Sequence, residues 1–382
     1  MLKRIHIRNF LSCIDTDIEL DGVTALIGRN AAGKTNVLKA IEWCARFAVG
    51  NEPVYEYFGF DLEPNFEIEF LIGDNLFRYE LKIAVDYRDH IISIIENLFC
   101  FISGEWQIIV KREDENVTHY NKENSVVEIN SDTPMISSLL SLMPKNEINP
   151  ALIKVYQYLS TIKYYVLDDG YENTEKNRYS EHIDTNSYKQ WLAKRNKTEP
   201  SLVMKLLYLW HEDKETLEEL NALMGENGLN IVKHIDIVKH EFGAKDEDSF
   251  FTVNFVMVNA TVSYRQLSYG TQRVLAILLA LLYDNSSTLL IEQPEDGIHS
   301  GLLKKLLPLC FEYGAAYNRQ IIIATHSPDV INLVPPESIR LVRMTENGTK
   351  VSSLDAERLP FIHDYLKNEG ALFDFIDAMD DE

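Results

Sequence analysis

One stretch decides the fold: Gly28-Arg29-Asn30-Ala31-Ala32-Gly33-Lys34-Thr35. Its spacing, a glycine, four residues and then Gly-Lys-Thr, is that of a phosphate-binding loop. The apolar run 23–27 predicts a buried strand before the loop, and residues 36–47 predict a helix after it. Such a loop turns backbone N–H groups toward an anion, and the helix N-terminus adds positive potential. We therefore expect a nucleoside triphosphate site rather than a glycine-rich turn without a ligand.

The parts of this loop have different predicted roles. Lys34 is expected to reach the β- and γ-phosphates, and the Thr35 hydroxyl is expected to hold Mg²⁺. The predicted phosphate-binding residues are Gly28, Arg29, Asn30, Ala31, Ala32, Gly33, Lys34, Thr35 and Asn36.

Length and charge limit the class of protein. The chain has 382 residues, 46% of them hydrophobic, which is enough for one large domain with an insertion or for two domains. Its 37 basic and 59 acidic residues give a net charge of −22, which repels nucleic acid at long range. Nucleic acid is thus a less favoured ligand, although the net charge does not exclude a local basic groove.

The cysteines and the apolar runs bear on the compartment. Cys13, Cys44, Cys100 and Cys310 form no CxxC pair, which argues against a zinc site or a disulfide framework and fits a reducing compartment. No signal-peptide pattern opens the chain. The longest apolar run, residues 274–283, is shorter than the roughly 20 residues that cross a bilayer. We expect a cytoplasmic protein with no membrane partner.

Strand signals dominate the first third of the chain. Residues 2–10 alternate apolar and polar side chains, and a second short strand is predicted at 16–20. Residues 66–83 predict a β-hairpin with its turn at 73–75, and a second pair of strands follows at 98–111. This part of the chain therefore predicts an antiparallel β layer.

The middle of the chain is less regular. Residues 112–134 predict a polar loop, and helical periodicity dominates from 134 to 242, broken by a polar stretch at 168–186. No sustained heptads indicate a long coiled coil. A solvated helix face is favoured over a nucleic-acid contact for the basic cluster that surrounds Trp191, formed by Lys189, Lys194, Arg195 and Lys197.

Strand and helix signals alternate in the last third. Residues 267–273 (LSYGTQR) open a long apolar helix, and two apolar runs, 287–291 and 320–324, then predict buried strands. The first run ends in Glu292-Gln293-Pro294-Glu295, and the second ends in Thr325-His326-Ser327-Pro328. This alternation predicts a parallel sheet with its ligands at the carboxyl ends of the strands.

Four motifs in this order, GRNAAGKT, LSYGTQR, LLIEQPEDGIHS and ATHSP, resemble the ATP-binding-cassette ATPase head of the SMC, RecF and OLD-like branch. The resemblance covers roughly residues 1–110 and 250–345. It implies an α/β ABC-ATPase head with a mixed β-sheet, an antiparallel β layer and a mostly helical insertion, with ATP and Mg²⁺ as cofactors. The expected segments are an N-terminal lobe (1–111), the insertion (112–249), a C-terminal lobe (250–345) and an acidic tail (346–382).

The resemblance also assigns partners to the nucleotide. LSYGTQR resembles the signature motif, in which Ser268 and Gly270 would meet the γ-phosphate held by a second protomer. That implies a head-to-head homodimer, with a higher oligomer left open; the alternative is an ordinary serine N-cap on a buried helix. His326 resembles the switch histidine that contacts the γ-phosphate.

One position departs from the family pattern. The strand after the signature usually ends in two acids and a proline, of which the first supports Mg²⁺ and the second is the general base. Here the pair is Glu292-Gln293. Glu292 can serve the metal, whereas the Gln293 amide can position a water but cannot accept its proton. The chain is therefore expected to be an ATPase that binds ATP well and hydrolyses it poorly.

Two matters stay open. Gln293 is either an engineered change that traps the ATP-bound dimer or the natural residue of a slow ATP-gated switch, and Glu295 could act as the base only with a different geometry. The family's Mg²⁺-lining glutamine has two weak candidates, Gln157 and Gln107.

The resemblance suggests two functions. The absence of heptads disfavours SMC-type arms, and the short stretch after residue 345 disfavours the nuclease domain of a full-length OLD protein. Stand-alone ATPases of anti-phage systems, of the Septu, retron-associated and PARIS type, remain. They imply a sensor and scaffold for a nuclease or toxin effector, and the tail 372–382 reads as an amphipathic helix that either docks on a basic partner or is solvated. The alternative is a RecF-like DNA-repair ATPase that clamps DNA.

Overall fold

The structure is a computed structural model, and it describes residues 1–52, 63–86, 91–120, 125–165, 182–194, 200–242, 249–368 and 370–380. Its internal contacts divide the chain into two compact units. Unit 1 consists of Met1–Tyr165, Ser286–Gln293 and Gly314–Glu382, and unit 2 consists of Val166–Asn285 and Pro294–Tyr313. The four segments expected from the sequence stay a prediction about domain organisation.

A six-stranded sheet forms the centre of unit 1, in the order β10-β15-β16-β3-β17-β18. The first five strands in this order run parallel, and β18 is antiparallel to β17. The three neighbouring strands β3, β15 and β16 are nearly continuous runs of buried, mostly apolar residues, as strands covered on both faces are. The bounds of the six strands are β3 Val23–Ile27, β10 Ile162–Tyr165, β15 Thr288–Glu292, β16 Gln320–Thr325, β17 Ile339–Thr345 and β18 Gly348–Ser353.

An antiparallel sheet of eight strands is the second layer of unit 1, in the order β2-β1-β4-β5-β6-β7-β8-β9. Its buried side chains alternate with more exposed ones, as in a sheet with one covered face. The bounds are β1 Leu2–Phe10, β2 Cys13–Glu19, β4 Asn65–Ile72, β5 Asn75–Asp86, β6 Ile91–Ile102, β7 Glu105–Glu113, β8 Asn116–His119 and β9 Ser125–Glu128.

Helices complete unit 1. Rings of the first helix and the antiparallel sheet build an aromatic cluster: the Trp43 ring lies 5.3 Å from that of Phe47 and 5.4 Å from that of Phe66, and Phe66 lies 5.4 Å from Phe10. The bounds are α1 Lys34–Ala48, α2 Met135–Leu142, α3 Pro150–Leu159, α9 Pro328–Ile331, α10 Leu359–Lys367 and α11 Leu372–Asp380. In the tail helix α11, Leu372 and Ile376 are buried, so part of its apolar side packs against the chain itself.

Unit 2 combines a small antiparallel sheet with helices. The sheet has the order β11-β13-β12, and β14 pairs with β13. Its bounds are β11 His182–Asp184, β12 His234–Glu241, β13 Ser249–Val256 and β14 Thr261–Ser263. The remaining helices are α4 Thr185–Ala193, α5 Leu202–Glu212, α6 Lys214–Met224, α7 Tyr269–Leu282 and α8 Ser300–Ala316, the last of which begins in unit 2 and ends in unit 1. Across the described ranges, no helix is both long and apolar enough to cross a membrane.

The strands and helices that flank the motifs are confirmed, but the middle of the chain needs correction. Residues 112–134 are not a loop: the end of β7, β8 and β9 extend the antiparallel sheet there. The region predicted as helical also holds β10 and β12, and β11 lies within the stretch 168–186 predicted as a polar break. Most of the polar stretch 168–186 lies outside the described residues, as do Arg195 and Lys197 of the basic cluster.

A fully buried ion pair ties the antiparallel sheet to α2. Arg112 and Glu96 have no exposed side-chain surface, and Arg112 Nη1 donates to Glu96 Oε2 at 2.7 Å. Arg112 also donates to the carbonyl oxygens of Asp114 and Ser131, while Glu96 accepts from the Tyr79 hydroxyl and from the backbone N–H of Met135. Burial raises the pKa of Glu96, and Arg112 opposes that shift. Removing either charge would leave the other buried without its counterion.

We expect Arg112→Met to lower the free energy of unfolding by about 3–5 kcal/mol, because it strands the Glu96 carboxylate in the core. Urea denaturation measures the change. The matched control is Lys111→Met, whose ion pair with Glu113 is exposed to solvent and should therefore contribute far less to stability. Equal losses in both variants would contradict a special role for the buried pair.

Candidate functional site

The phosphate loop leads from the carboxyl end of β3 into α1 and borders a cavity of about 340 Å³. The cavity is lined by residues 30–36 together with Glu292, Gln293 and Ala324. Gly33 is the N-cap of α1; no side chain caps this helix end, and its first turn carries no acid. The first N–H groups of α1 and the positive end of the helix dipole therefore suit an anion.

Two positions in the loop depend on small residues. Gly33 has φ 102°, and a Cβ there would lie 2.0 Å from the Thr349 hydroxyl and 2.9 Å from that of Ser12. A Cβ at Gly28 would lie 2.2 Å from the carbonyl oxygen of Val342. The loop therefore runs so close to β17 and β18 that only glycine fits at these positions.

The hydroxyls of Ser12 and Thr349, which the sequence did not predict as part of the site, hold the phosphate loop through hydrogen bonds. Ser12 Oγ lies 2.7 Å from Thr349 Oγ1, and the Asn36 amide donates to Ser12 Oγ at 2.7 Å. Thr349 Oγ1 in turn donates to the carbonyl oxygen of Ala32 at 3.3 Å. The turn after β1 and the start of β18 thus fix the loop and the first turn of α1. No local pattern in the sequence joins Ser12 to Thr349.

The Lys34 ammonium, which is predicted to bind the phosphates, is hydrogen-bonded to the backbone of the loop. Lys34 is largely buried, and its Nζ donates to the carbonyl oxygens of Gly28 at 2.7 Å and Arg29 at 3.0 Å. The ammonium therefore lies among the groups that would surround a phosphate chain. Arg29, Asn30 and Ala31 are exposed at the tip of the loop.

The two predicted metal residues meet, as a magnesium site requires. The Thr35 hydroxyl donates to Glu292 Oε1, and the hydroxyl of Tyr164 donates to Glu292 Oε2. A threonine hydroxyl and a carboxylate are hard oxygen donors, which Mg²⁺ prefers. These residues therefore fit Mg²⁺. Tyr164, on β10 beside β15, was not predicted, because its strand was interpreted as part of a helical region.

Gln293 and His326 lie together after the ends of β15 and β16. The Gln293 amide nitrogen is 3.4 Å from His326 Nδ1, and the Gln293 backbone N–H donates to the carbonyl oxygen of Ala324 at 2.8 Å. Gln293 has φ 44°, an uncommon value for a residue other than glycine. The neighbouring strand thus holds an unfavourable backbone conformation at the position of the expected general base, a kind of strain that clusters at functional sites.

Ser268 and Gly270 belong to unit 2, and their predicted contact with a second protomer stays a prediction. Ser268 is the N-cap of α7, and its Oγ accepts from the backbone N–H of Thr271 at 3.2 Å. A Cβ at Gly270 would lie 2.3 Å from the carbonyl oxygen of Gly297. This geometry satisfies the N-cap interpretation and is also compatible with a signature motif, so it does not choose between them.

Neither candidate for the Mg²⁺-lining glutamine lies at the cavity. Gln107 is exposed on β7 and Gln157 is exposed on α3, and neither is among the residues that line the cavity. Among the described residues, Tyr164 is the side chain that joins Thr35 in contacting the Glu292 carboxylate.

Comparisons with known proteins identify the family of this chain and its relatives. A family model described as "AAA domain, putative AbiEii toxin, Type IV TA system" matches residues 23–332. The OLD nuclease of Thermus scotoductus is 22% identical over 396 residues, which cover 98% of this chain and 68% of that protein. The DNA double-strand break repair Rad50 ATPase of Thermoplasma volcanium is 30% identical over 138 residues, 36% of this chain and 15% of that protein. The family match includes the middle of the chain, which the sequence motifs alone left unassigned.

Solved structures establish the fold. The SMC head bound to the C-winged helix domain of ScpA aligns with a TM-score of 0.52 at 12% identity, over 94% of this chain and 99% of that one. The Smc head with an extended coiled coil bound to the C-terminal domain of ScpA, from Pyrococcus furiosus, gives 0.51 at 12% identity, over 96% and 99%. The chain therefore has a mixed α/β fold like that of an SMC head.

We expect Tyr164→Phe to lower the affinity of the ATP-bound protein for Mg²⁺ by about 10–100-fold. Partners that orient a metal ligand contribute that much to metal affinity. Titration of Mg²⁺ at fixed ATP, followed by calorimetry, measures it. Tyr165→Phe is the matched control, since its hydroxyl lies 3.0 Å from Ser286 Oγ rather than at Glu292. Similar Mg²⁺ affinities for the two variants would refute the role of Tyr164.

We expect Gly33→Ala to abolish measurable ATP binding, because its Cβ collides with Thr349 while the backbone needs a positive φ. Gly104→Ala is the control that separates the collision of the Cβ from the strain of a positive φ. Gly104 has φ 90° with no atom within 4 Å of an added Cβ, so its change costs backbone strain alone. Equilibrium binding of a fluorescent ATP analogue gives the answer, and retained affinity in Gly33→Ala would contradict the close approach of β18.

Proposed function

Because the chain belongs to the AAA-domain family described as a putative AbiEii toxin of a type IV toxin–antitoxin system, we propose that it is an ATP-gated switch controlling a separate effector in anti-phage defence. The observation that carries the proposal is the contact of Thr35 and Tyr164 with Glu292 at the phosphate-loop cavity. It supports the proposal because these oxygen atoms lie beside the loop that would hold the phosphates. Similarity to an OLD nuclease supports the link to defence.

The proposed chemistry divides among a few side chains. Loop N–H groups and Lys34 bind the phosphates, and Thr35 and Glu292 hold Mg²⁺, which when bound neutralises charge on the phosphate oxygens. His326 contacts the γ-phosphate. Gln293 orients the attacking water but accepts no proton, since an amide is not a base at ordinary pH. Slow hydrolysis then gives the ATP-bound state a long lifetime.

The proposed active form is a head-to-head dimer that closes around two nucleotides. Ser268 and Gly270, at the N-terminal end of α7, would serve the γ-phosphate bound by the partner protomer. The SMC-head-like fold supports this arrangement. In the dimer the chain would hold an effector, a nuclease or toxin, and release it when ATP is consumed or a phage trigger arrives.

We expect Gln293→Glu to raise ATP turnover by about 10²–10⁴-fold, the usual contribution of a positioned general base, with little change in ATP affinity. A coupled phosphate-release assay measures turnover, and calorimetry measures affinity. The control is Gln107→Glu, which adds the same charge on exposed β7. An unchanged turnover in Gln293→Glu would show that this position does not limit hydrolysis.

A local similarity favours a second candidate, a DNA-repair ATPase that clamps DNA: the 30% identity to the Rad50 ATPase over 138 residues. The net charge of −22 counts against it. Native mass spectrometry of the tagged chain, purified from its host with ATP and Mg²⁺, separates the two. A nuclease or toxin that leaves when hydrolysis is restored supports the switch. A dimer that retains duplex DNA and no effector supports the clamp.

A further inference from the structure

Unit 2 contains a pocket of about 510 Å³ that the ATPase chemistry does not use. All of its lining residues come from α4, from α5 and α6, and from β12 and β13. Its size lies within the range of pockets that bind small ligands. Aromatic rings and lysines dominate the lining, a combination that an ordinary core does not need.

Four aromatic side chains form the walls. The Tyr188 and His211 rings stack at 4.9 Å with 21° between their planes. The Phe251 ring stands edge-on to His211 at 5.2 Å and to Trp210 at 5.9 Å. Tyr188 and Phe251 are buried, whereas His211 is exposed and Trp210 half-buried, so the box has a closed floor and an open rim. Such walls suit a flat ring that can stack.

Three lysines border the same pocket, Lys189, Lys214 and Lys239. Lys239 pairs in register with Phe251, so it lies on the face of the sheet that otherwise carries buried Ile237 and Val253. A lysine at this position breaks the apolar alternation and brings a cation beside the aromatic floor. Glu241 balances part of that charge through an ion pair of 3.0 Å.

Two acids near Lys189 and Lys214 in the chain cap the helices that carry them. Asp184 accepts from the backbone N–H of Ser187 at 2.8 Å, at the start of α4. Asp213 accepts from the backbone N–H of Thr216 at 3.2 Å and from its hydroxyl at 2.7 Å, beside Lys214. Lys189 and Lys214 are exposed. The rim thus carries two exposed ammonium groups in a chain whose net charge is −22.

We propose that this pocket binds a nucleotide: its base stacks in the aromatic box, and its phosphate pairs with the lysines at the rim. Stacking on aromatic side chains and cationic contacts to phosphate are how proteins hold unpaired nucleotides. The nucleotide comes either from the free pool or from an unpaired position of a single-stranded nucleic acid. The site lies within unit 2 and does not depend on ATP hydrolysis.

The test uses the full chain carrying Lys34→Ala, which weakens the phosphate loop. AMP binding is followed by calorimetry, and a labelled ten-residue oligothymidine is followed by fluorescence anisotropy. The pocket variants are Lys189→Gln/Lys214→Gln and, separately, Trp210→Ala. The matched control is Lys233→Gln/Lys304→Gln, which removes two exposed lysines of unit 2 that do not line the pocket. Circular dichroism verifies that each variant is folded.

We expect the double lysine variant to weaken binding about tenfold, Trp210→Ala to weaken it about 5–150-fold, and the control to leave it within about twofold. Binding of AMP identifies a free nucleotide, and binding of the oligonucleotide alone identifies a strand. The proposal is overturned if neither probe binds, if all folded variants bind equally, or if a duplex of the same length binds as well as the single strand, since stacking needs unpaired bases.

Discussion

The site depends on the parallel register of three neighbouring strands. Glu292 at the end of β15 pairs with Ala324 on β16, and Thr325 at the end of β16 pairs with Ile27, the last residue of β3. The three strands therefore end at nearly the same level. Their interiors are apolar and buried, so the polar groups that leave them collect at one edge. The positions of the phosphate loop, the Glu292 carboxylate and the Gln293–His326 pair follow from this single constraint.

That constraint explains how much of the site could be predicted. The loop spacing, the two apolar runs and the polar residues after each are local patterns, and the structure places Lys34, Thr35, Glu292 and Gln293 around one cavity. Tyr164 could not be found in this way. Its strand has four residues and resembles the end of the preceding helix, and pairing with β15 alone makes it a strand. Such a tertiary override of local propensity leaves no local signal.

The errors in the middle of the chain have a similar cause. β8 and β9 have four residues each, and β9 is the outermost strand of its sheet. Short edge strands carry polar residues and need little apolar alternation. The burial of Arg112 and Glu96 also has no local signal, because charged residues are almost always exposed unless they are paired. Their pairing depends on the register of β6 and β7, where Glu96 faces Arg112 directly.

Position 293 separates two tasks that one glutamate usually combines. Its backbone is held at a positive φ through the hydrogen bond from its N–H to Ala324, an interaction that any side chain at this position would keep. The strands therefore set the direction in which the side chain leaves the backbone, whereas the approach to His326 Nδ1 at 3.4 Å is made by the amide nitrogen itself. The proton-accepting ability belongs to the side chain alone, and glutamine lacks it. In the proposed switch, the strands would thus fix the backbone at position 293 whichever residue is present, while the chemistry of its side chain would set the lifetime of a bound ATP.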